Sequence, residues 1–136
     1  MNTITIKTTI QAPIEKVWNY WTLPKHIINW NFASNDWCCP SAINNLQPGE
    51  SFVWRMEAKD GSIGFDFTGT YEKIEKNRLI TYKMPDGRNV LISFHPLENE
   101  VKVTETFDTE GTHTDEQQRA GWQSILDTFK NYVENN

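Results

Sequence analysis

At 136 residues, with 38% hydrophobic and 23% charged side chains, the chain has the length of one domain, expected over 1–136. It can build a core without disulfides or a structural metal. A formal net charge of -5 and a pI near 5.1 exclude the usual nucleic-acid binder, whose affinity rests on Lys and Arg neutralising phosphates. No apolar run approaches a bilayer crossing, and Met1-Asn2-Thr3-Ile4-Thr5 lacks a basic region followed by an apolar segment, so no membrane partner and a cytoplasmic location are expected.

Thr3 to Ile10 alternates, with Ile4, Ile6, Thr8 and Ile10 on one face, which predicts a half-buried strand. A helix is predicted from Pro13, whose missing N–H is no loss in a first turn, with Ile14, Val17, Trp18 and Trp21 as its apolar stripe. Pro24 ends that helix. A second short helix over Lys25 to Asn31 turns Ile27, Ile28 and Trp30 inward. From Asn35 to Gly49 the pattern is poor, being broken by Pro40, Pro48 and several Asn, and the course of the segment is left open. Cys38 and Cys39 are adjacent, a spacing that disfavours a disulfide between them, and no second Cys or His cluster stands at metal-ligand spacing. Free thiols and no metal or cofactor are expected.

After Gly49 the strands can be tested against one another, because each turn length fixes a register. Asp60-Gly61 suits a two-residue hairpin turn that sets Met56 opposite Phe65, Trp54 opposite Phe67 and Phe52 opposite Gly69. Pro85-Asp86-Gly87 suits a three-residue loop with Gly87 left-handed, setting Tyr82 opposite Val90 and Ile80 opposite Ile92. A turn at Glu98-Asn99 sets Phe94 opposite Val103, Ile92 opposite Glu105 and Val90 opposite Phe107. The link from Tyr71 to Ile80 through Glu75-Lys76-Asn77 fits the same phase. One face of the meander is therefore nearly continuous in large apolar residues, while Arg55, Glu57, Asp66, Lys73, Lys83, Ser93, Lys102 and Thr104 occupy the other. Gly69 on the inner face marks either a bend or a space.

The last stretch, Thr112 to Val133, reads as an amphipathic helix. Trp122, Ile125, Leu126, Phe129 and Val133 lie on one face, and Gln123, Asp127, Lys130 and Glu134 on the other. Thr114 with Gln117 three residues on is a capping box. The inner stripe runs N-terminally into Gln118 and Asp115. That run is read first as an exposed first turn favoured by the helix dipole, with a cavity mouth or head-group site as the alternative. The expected fold is α+β: a curved antiparallel sheet wrapped around a long C-terminal helix, with two short helices after the first strand and an aromatic-lined space between sheet and helix.

The order Ala12-Pro13-Ile14-Glu15-Lys16-Val17-Trp18, then Trp30, the alternating strands, and Glu116-Gln117-Gln118-Arg119-Ala120-Gly121-Trp122 resembles the family homologous to the C-terminal domain of the activator of heat-shock-protein-90 ATPase. That family belongs to the START-like (SRPBCC) superfamily. The resemblance covers essentially the whole chain and implies a helix-grip fold with an internal cavity, without a single activity. Pro48-Gly49-Glu50 stands where many relatives have a double glycine. The chain has no counterpart of the activator's separate N-terminal domain, so direct chaperone activation is not expected.

The candidate cavity residues are Trp30, Trp54, Met56, Phe65, Phe67, Tyr82, Ile92, Phe94, Glu105, Phe107, Gln118, Trp122, Ile125 and Phe129. Glu105 is the odd member: register places a carboxylate on the apolar face beside Ile92, where burial would raise its pKa and fit it to bind a ligand's polar end or exchange a proton. A basic partner or an outward-turning bulge are the plainer readings. His26, His95 and His113 are read as surface residues, and a Cys38 nucleophile served by His26 is a minor alternative. The expected function is binding of a small, largely hydrophobic molecule. The runners-up are a chaperone-linked or other protein-interaction module, and a cyclase- or hydrolase-type enzyme, which needs at least two polar groups converging in the cavity.

Overall fold

A computed structural model describes residues 2–136. The chain runs β1 (Thr3–Ile10), α1 (Ile14–Thr22), α2 (Pro24–Ile27), β2 (Trp37–Asn44), β3 (Ser51–Ala58), β4 (Gly64–Glu75), β5 (Leu79–Lys83), β6 (Asn89–Leu97), β7 (Glu100–Asp108) and α3 (Asp115–Asn135). The strands form a curled antiparallel sheet in the order β1-β7-β6-β5-β4-β3-β2, with α3 held in its concave face.

Each predicted cross-strand pair from Met56 opposite Phe65 to Val90 opposite Phe107 is present. The Asp60-Gly61 loop is longer than the predicted two residues. The Gly61 N–H bonds the Ala58 carbonyl at 3.0 Å and the Ala58 N–H bonds the Ile63 carbonyl at 2.9 Å, leaving Lys59 to Ser62 as the loop. The register survives because the loop widens by one residue on each side. The 85–87 loop has the expected form, with the Met84 N–H on the Arg88 carbonyl and Gly87 at φ +93°. Between Tyr71 and Lys73 a bulge at Glu72 shifts the register once, and the Lys73 N–H is taken up by the Thr81 hydroxyl.

β2 is the element that hydropathy concealed. Cys38 pairs with Glu57 and Ser41 with Arg55, so Cys39 and Pro40 together oppose Met56 in a bulge. Proline is tolerated there because β2 is the sheet's outer strand. The α2 helix is also shorter than predicted and begins at Pro24 itself, and Ile28 is 37% exposed rather than inward, because the helix stops at Ile27.

The core lies between the sheet's inner face and the helices. Trp18 and Trp21 of α1 meet Phe94 edge-on, at 5.3 and 6.0 Å between ring centroids, and Trp21 and Trp30 each meet Phe129 of α3 at 4.9 and 4.8 Å. The Trp30 indole N–H is satisfied by the Tyr20 carbonyl. Gly69 leaves no space: a Cβ there would stand 2.6 Å from the Phe52 ring and 2.8 Å from that of Tyr82.

α3 also closes an edge of the sheet. Arg119, Gln123 and Lys130 donate to the carbonyls of Thr5, Lys7 and Thr9, at 3.0, 3.4 and 2.6 Å. These are alternate carbonyls of β1, an outermost strand, so the helix satisfies backbone groups that would otherwise be open to pairing.

Candidate functional site

Between the sheet and the first half of α3 lies a cavity of about 440 Å³, within the range of small-molecule sites. Its walls follow from the strand register. β3 supplies Trp54 and Met56, β4 supplies Phe65 and Phe67, β5 supplies Tyr82 and Met84, and β7 supplies Glu105. α3 supplies Gln117, Gln118, Gly121, Trp122 and Ile125, and Trp21, Trp30 and Asn31 close the end beside α1 and α2. Arg88, Glu110 and His113 come from the loops. Trp122 is fixed by lying flat on Phe107, with centroids 4.0 Å apart and planes at 11°. Phe65 stands at the rim, 47% exposed.

Four of the anticipated residues lie elsewhere. Ile92, Phe94, Phe107 and Phe129 are fully packed core behind the cavity wall. Alternation placed them on the correct face, but α1, Trp30 and the Trp122 ring cover them, and face alone does not distinguish covered from open positions. Sequence reasoning missed Trp21, Asn31, Met84, Arg88, Glu110, His113, Gln117 and Gly121. For Met84 a signal existed, since it continues the Ile80, Tyr82 alternation. Gly121 also stood out, as a glycine inside an otherwise good helix. Arg88, Glu110 and His113 sit on loops, where no periodicity points inward.

Glu105 is 6% exposed, with Ile6 and Ile92 as its cross-strand neighbours. Among the described residues no side chain pairs with it, and burial pushes its carboxyl up to about 8. It is therefore mostly protonated at neutral pH. Tyr82, also buried, stands across β6 from it on the same face of the sheet, and its phenol is raised well above its ordinary value, first by burial and then by the Glu105 carboxylate.

Gln118 is neither an exposed first turn nor a free head-group site. It is buried, and its amide accepts from the Glu110 N–H and donates to the Glu110 and His113 carbonyls, tying the loop before α3 to the helix. The predicted capping box is present ahead of it, between Thr114 and Gln117.

The mouth carries charges that compensate one another. Arg88 Nε bonds Asp86 at 2.8 Å, and His113 Nδ1 lies 3.2 Å from Glu110, whose carboxyl the His113 backbone N–H lowers. Asn31 donates to the sulfurs of Met56 at 2.9 Å and Cys39 at 3.7 Å. Cys38 and Cys39 are free thiols, and burial raises that of Cys39. His26 does not serve them: it stacks on Tyr20 at 3.8 Å and shares a 2.7 Å hydrogen bond with the Tyr132 hydroxyl. Among the described residues no cluster of His, Cys, Asp or Glu is placed to hold a metal, and no helix is long and apolar enough to cross a membrane.

The family model described as activator of Hsp90 ATPase homolog 1-like protein matches residues 11–134. Among solved structures, an AHSA1-like protein from Aeromonas hydrophila is 46% identical, with a TM-score of 0.93 over 98% of this chain and 93% of that one. A protein from Cytophaga hutchinsonii is 47% identical, with a TM-score of 0.85 over 100% of this chain and 94% of that one. A protein from Chromobacterium violaceum shares the fold at 19% identity, with a TM-score of 0.87 over the whole of both chains. The comparison with curated proteins gives no match.

Proposed function

The chain belongs to the activator of Hsp90 ATPase homolog 1-like family, whose fold commonly takes up hydrophobic ligands or partners, and from that membership we propose that it binds a small, largely apolar molecule in the cavity beneath α3. The observation that carries this reading is the cavity itself. About 440 Å³ is left open among Trp30, Trp54, Phe67, Tyr82 and Trp122 beside the buried apolar core. Native interiors hold few voids larger than a water molecule, so an opening of this size lined by aromatic rings supports a binding role. A ligand burying roughly 200 Å² of apolar surface there would gain about 5 kcal/mol before the cost of ordering it. A protein-interaction module would be favoured by a large exposed apolar patch together with a filled interior, and the open cavity supports the ligand reading instead.

Gly121 offers a direct test. It lines the cavity, and a Cβ built on it meets nothing within 4 Å, so a large side chain at this position extends into the open volume. Native mass spectrometry of the purified protein, together with calorimetric titration of naphthalene-sized hydrocarbons, should show a retained molecule or saturable uptake that Gly121→Trp abolishes while its circular dichroism stays that of the parent. A parent protein that takes up no apolar probe would sink the proposal.

A further inference from the structure

Three side chains that line the cavity, Trp54, Tyr82 and Glu105, carry polar atoms without a hydrogen-bond partner among the described residues. The buried side-chain nitrogens and oxygens that lack both a partner and access are Trp54 Nε1 and Asn77 Oδ1 among the described residues. The Glu105 carboxyl and the Tyr82 hydroxyl, equally without partners, therefore open onto the cavity that both residues line. The sheet places them on one wall: Tyr82 pairs with Val90 and Val90 with Phe107, while Glu105 stands two residues before Phe107 on the same strand face.

Both groups keep their protons at neutral pH, since burial raises each of them and Glu105 also raises Tyr82. The wall thus offers O–H donors without a charge. The other titratable groups lining the cavity are Arg88, Glu110 and His113, and each is already engaged at the mouth, Arg88 with Asp86 and Glu110 with His113. A pure hydrocarbon in this cavity would strand two donors away from water, whereas an oxygen that only accepts hydrogen bonds would restore them.

We propose that the cavity selects apolar, ring-bearing molecules that carry an uncharged acceptor oxygen of the carbonyl kind, held by the Tyr82 hydroxyl and the Glu105 carboxyl. This rests on the reading of the cavity as a binding site.

The test compares 2-acetylnaphthalene with 2-isopropenylnaphthalene, which has the same shape with a CH₂ in place of the carbonyl oxygen, by calorimetric titration at several pH values. At pH 6.5 the ketone should bind about tenfold more tightly, the range expected for satisfying otherwise stranded donors. Glu105→Leu and Tyr82→Phe should each remove most of that preference, by weakening the ketone and, with one stranded donor gone, tightening the alkene, with circular dichroism reporting that each variant is folded. In the parent the preference should fall as pH rises through about 8, where Glu105 loses its proton. Glu105→Gln keeps an N–H donor and should retain the preference without that pH dependence. Equal binding of the two probes, unaltered by the variants, overturns the inference and leaves the cavity reading standing. Uptake of neither probe overturns both. Tighter binding of 2-naphthoate than of the ketone, lost in Arg88→Gln, also overturns the inference by moving recognition to the Arg88 charge.

Discussion

Glu105 makes the protein's stability depend on pH in an unusual direction. Its folded pKa of about 8 lies above the ordinary 4.5, so the folded protein holds a proton that the unfolded chain releases between those values. Its contribution is fully present below about pH 4.5, is lost as pH rises toward 8, and is constant above. The loss integrates to roughly 3–5 kcal/mol. Glu105→Gln should therefore be more stable than the parent at pH 8.5 and close to it at pH 4.5, as measured by urea unfolding at both values. A constant difference across that range would show that the carboxyl does not titrate as described. Gly69 makes an opposite demand: Gly69→Ala drives a methyl into the Phe52 and Tyr82 rings and should cost about 1–3 kcal/mol in the same assay.

α3 carries three distinct duties along its 21 residues. Leu126, Phe129 and Val133 fill the core, Gly121, Trp122 and Ile125 face the cavity, and Arg119, Gln123 and Lys130 cap the β1 edge. Two substitutions separate its intrinsic stability from its packing. Thr114→Ala removes the cap and should lower the unfolding free energy by about 1 kcal/mol, whereas Gly121→Ala fits the open space and should raise it by a similar amount through helix propensity. Differential scanning calorimetry of the two variants should displace the melting midpoint in opposite directions. The helix's apolar stripe and its cap were legible in the sequence, because 3.6-residue spacing and the Thr-x-x-Gln pattern are local signals. Its edge-capping side was not legible: Gln123 and Lys130 read as solvent-facing, since hydropathy does not say which carbonyls of a distant strand point outward. The β3–β7 meander was legible for the opposite reason, as turn lengths and apolar pairing constrain one another. β2 escaped because Cys39 and Pro40 break its alternation in a bulge that only an outer strand tolerates.

At the level of the whole molecule, an occupied cavity is linked to global unfolding, because a ligand that binds only the folded state stabilises it by mass action. An apolar probe at a hundred times its dissociation constant should add about 2.7 kcal/mol to the parent's unfolding free energy and nothing to that of Gly121→Trp, read by urea unfolding with and without probe. The cavity's aromatic character was visible in the sequence. Its extent was not, because whether a residue on the inner face is covered depends on contacts between elements far apart in the chain, as Phe94 under Trp18 and Phe107 under Trp122 show. The same distances govern how the protein is made. Among the described strands β1 pairs with β7 alone, so it has no sheet partner until residues 100–108 have left the ribosome. Until then the segment 3–10 waits beside an incomplete meander, and the α3 side chains that shield it arrive later still. The interval between the synthesis of β1 and that of β7 is therefore one in which this strand is open to pairing with another copy, and in which a holding chaperone would matter.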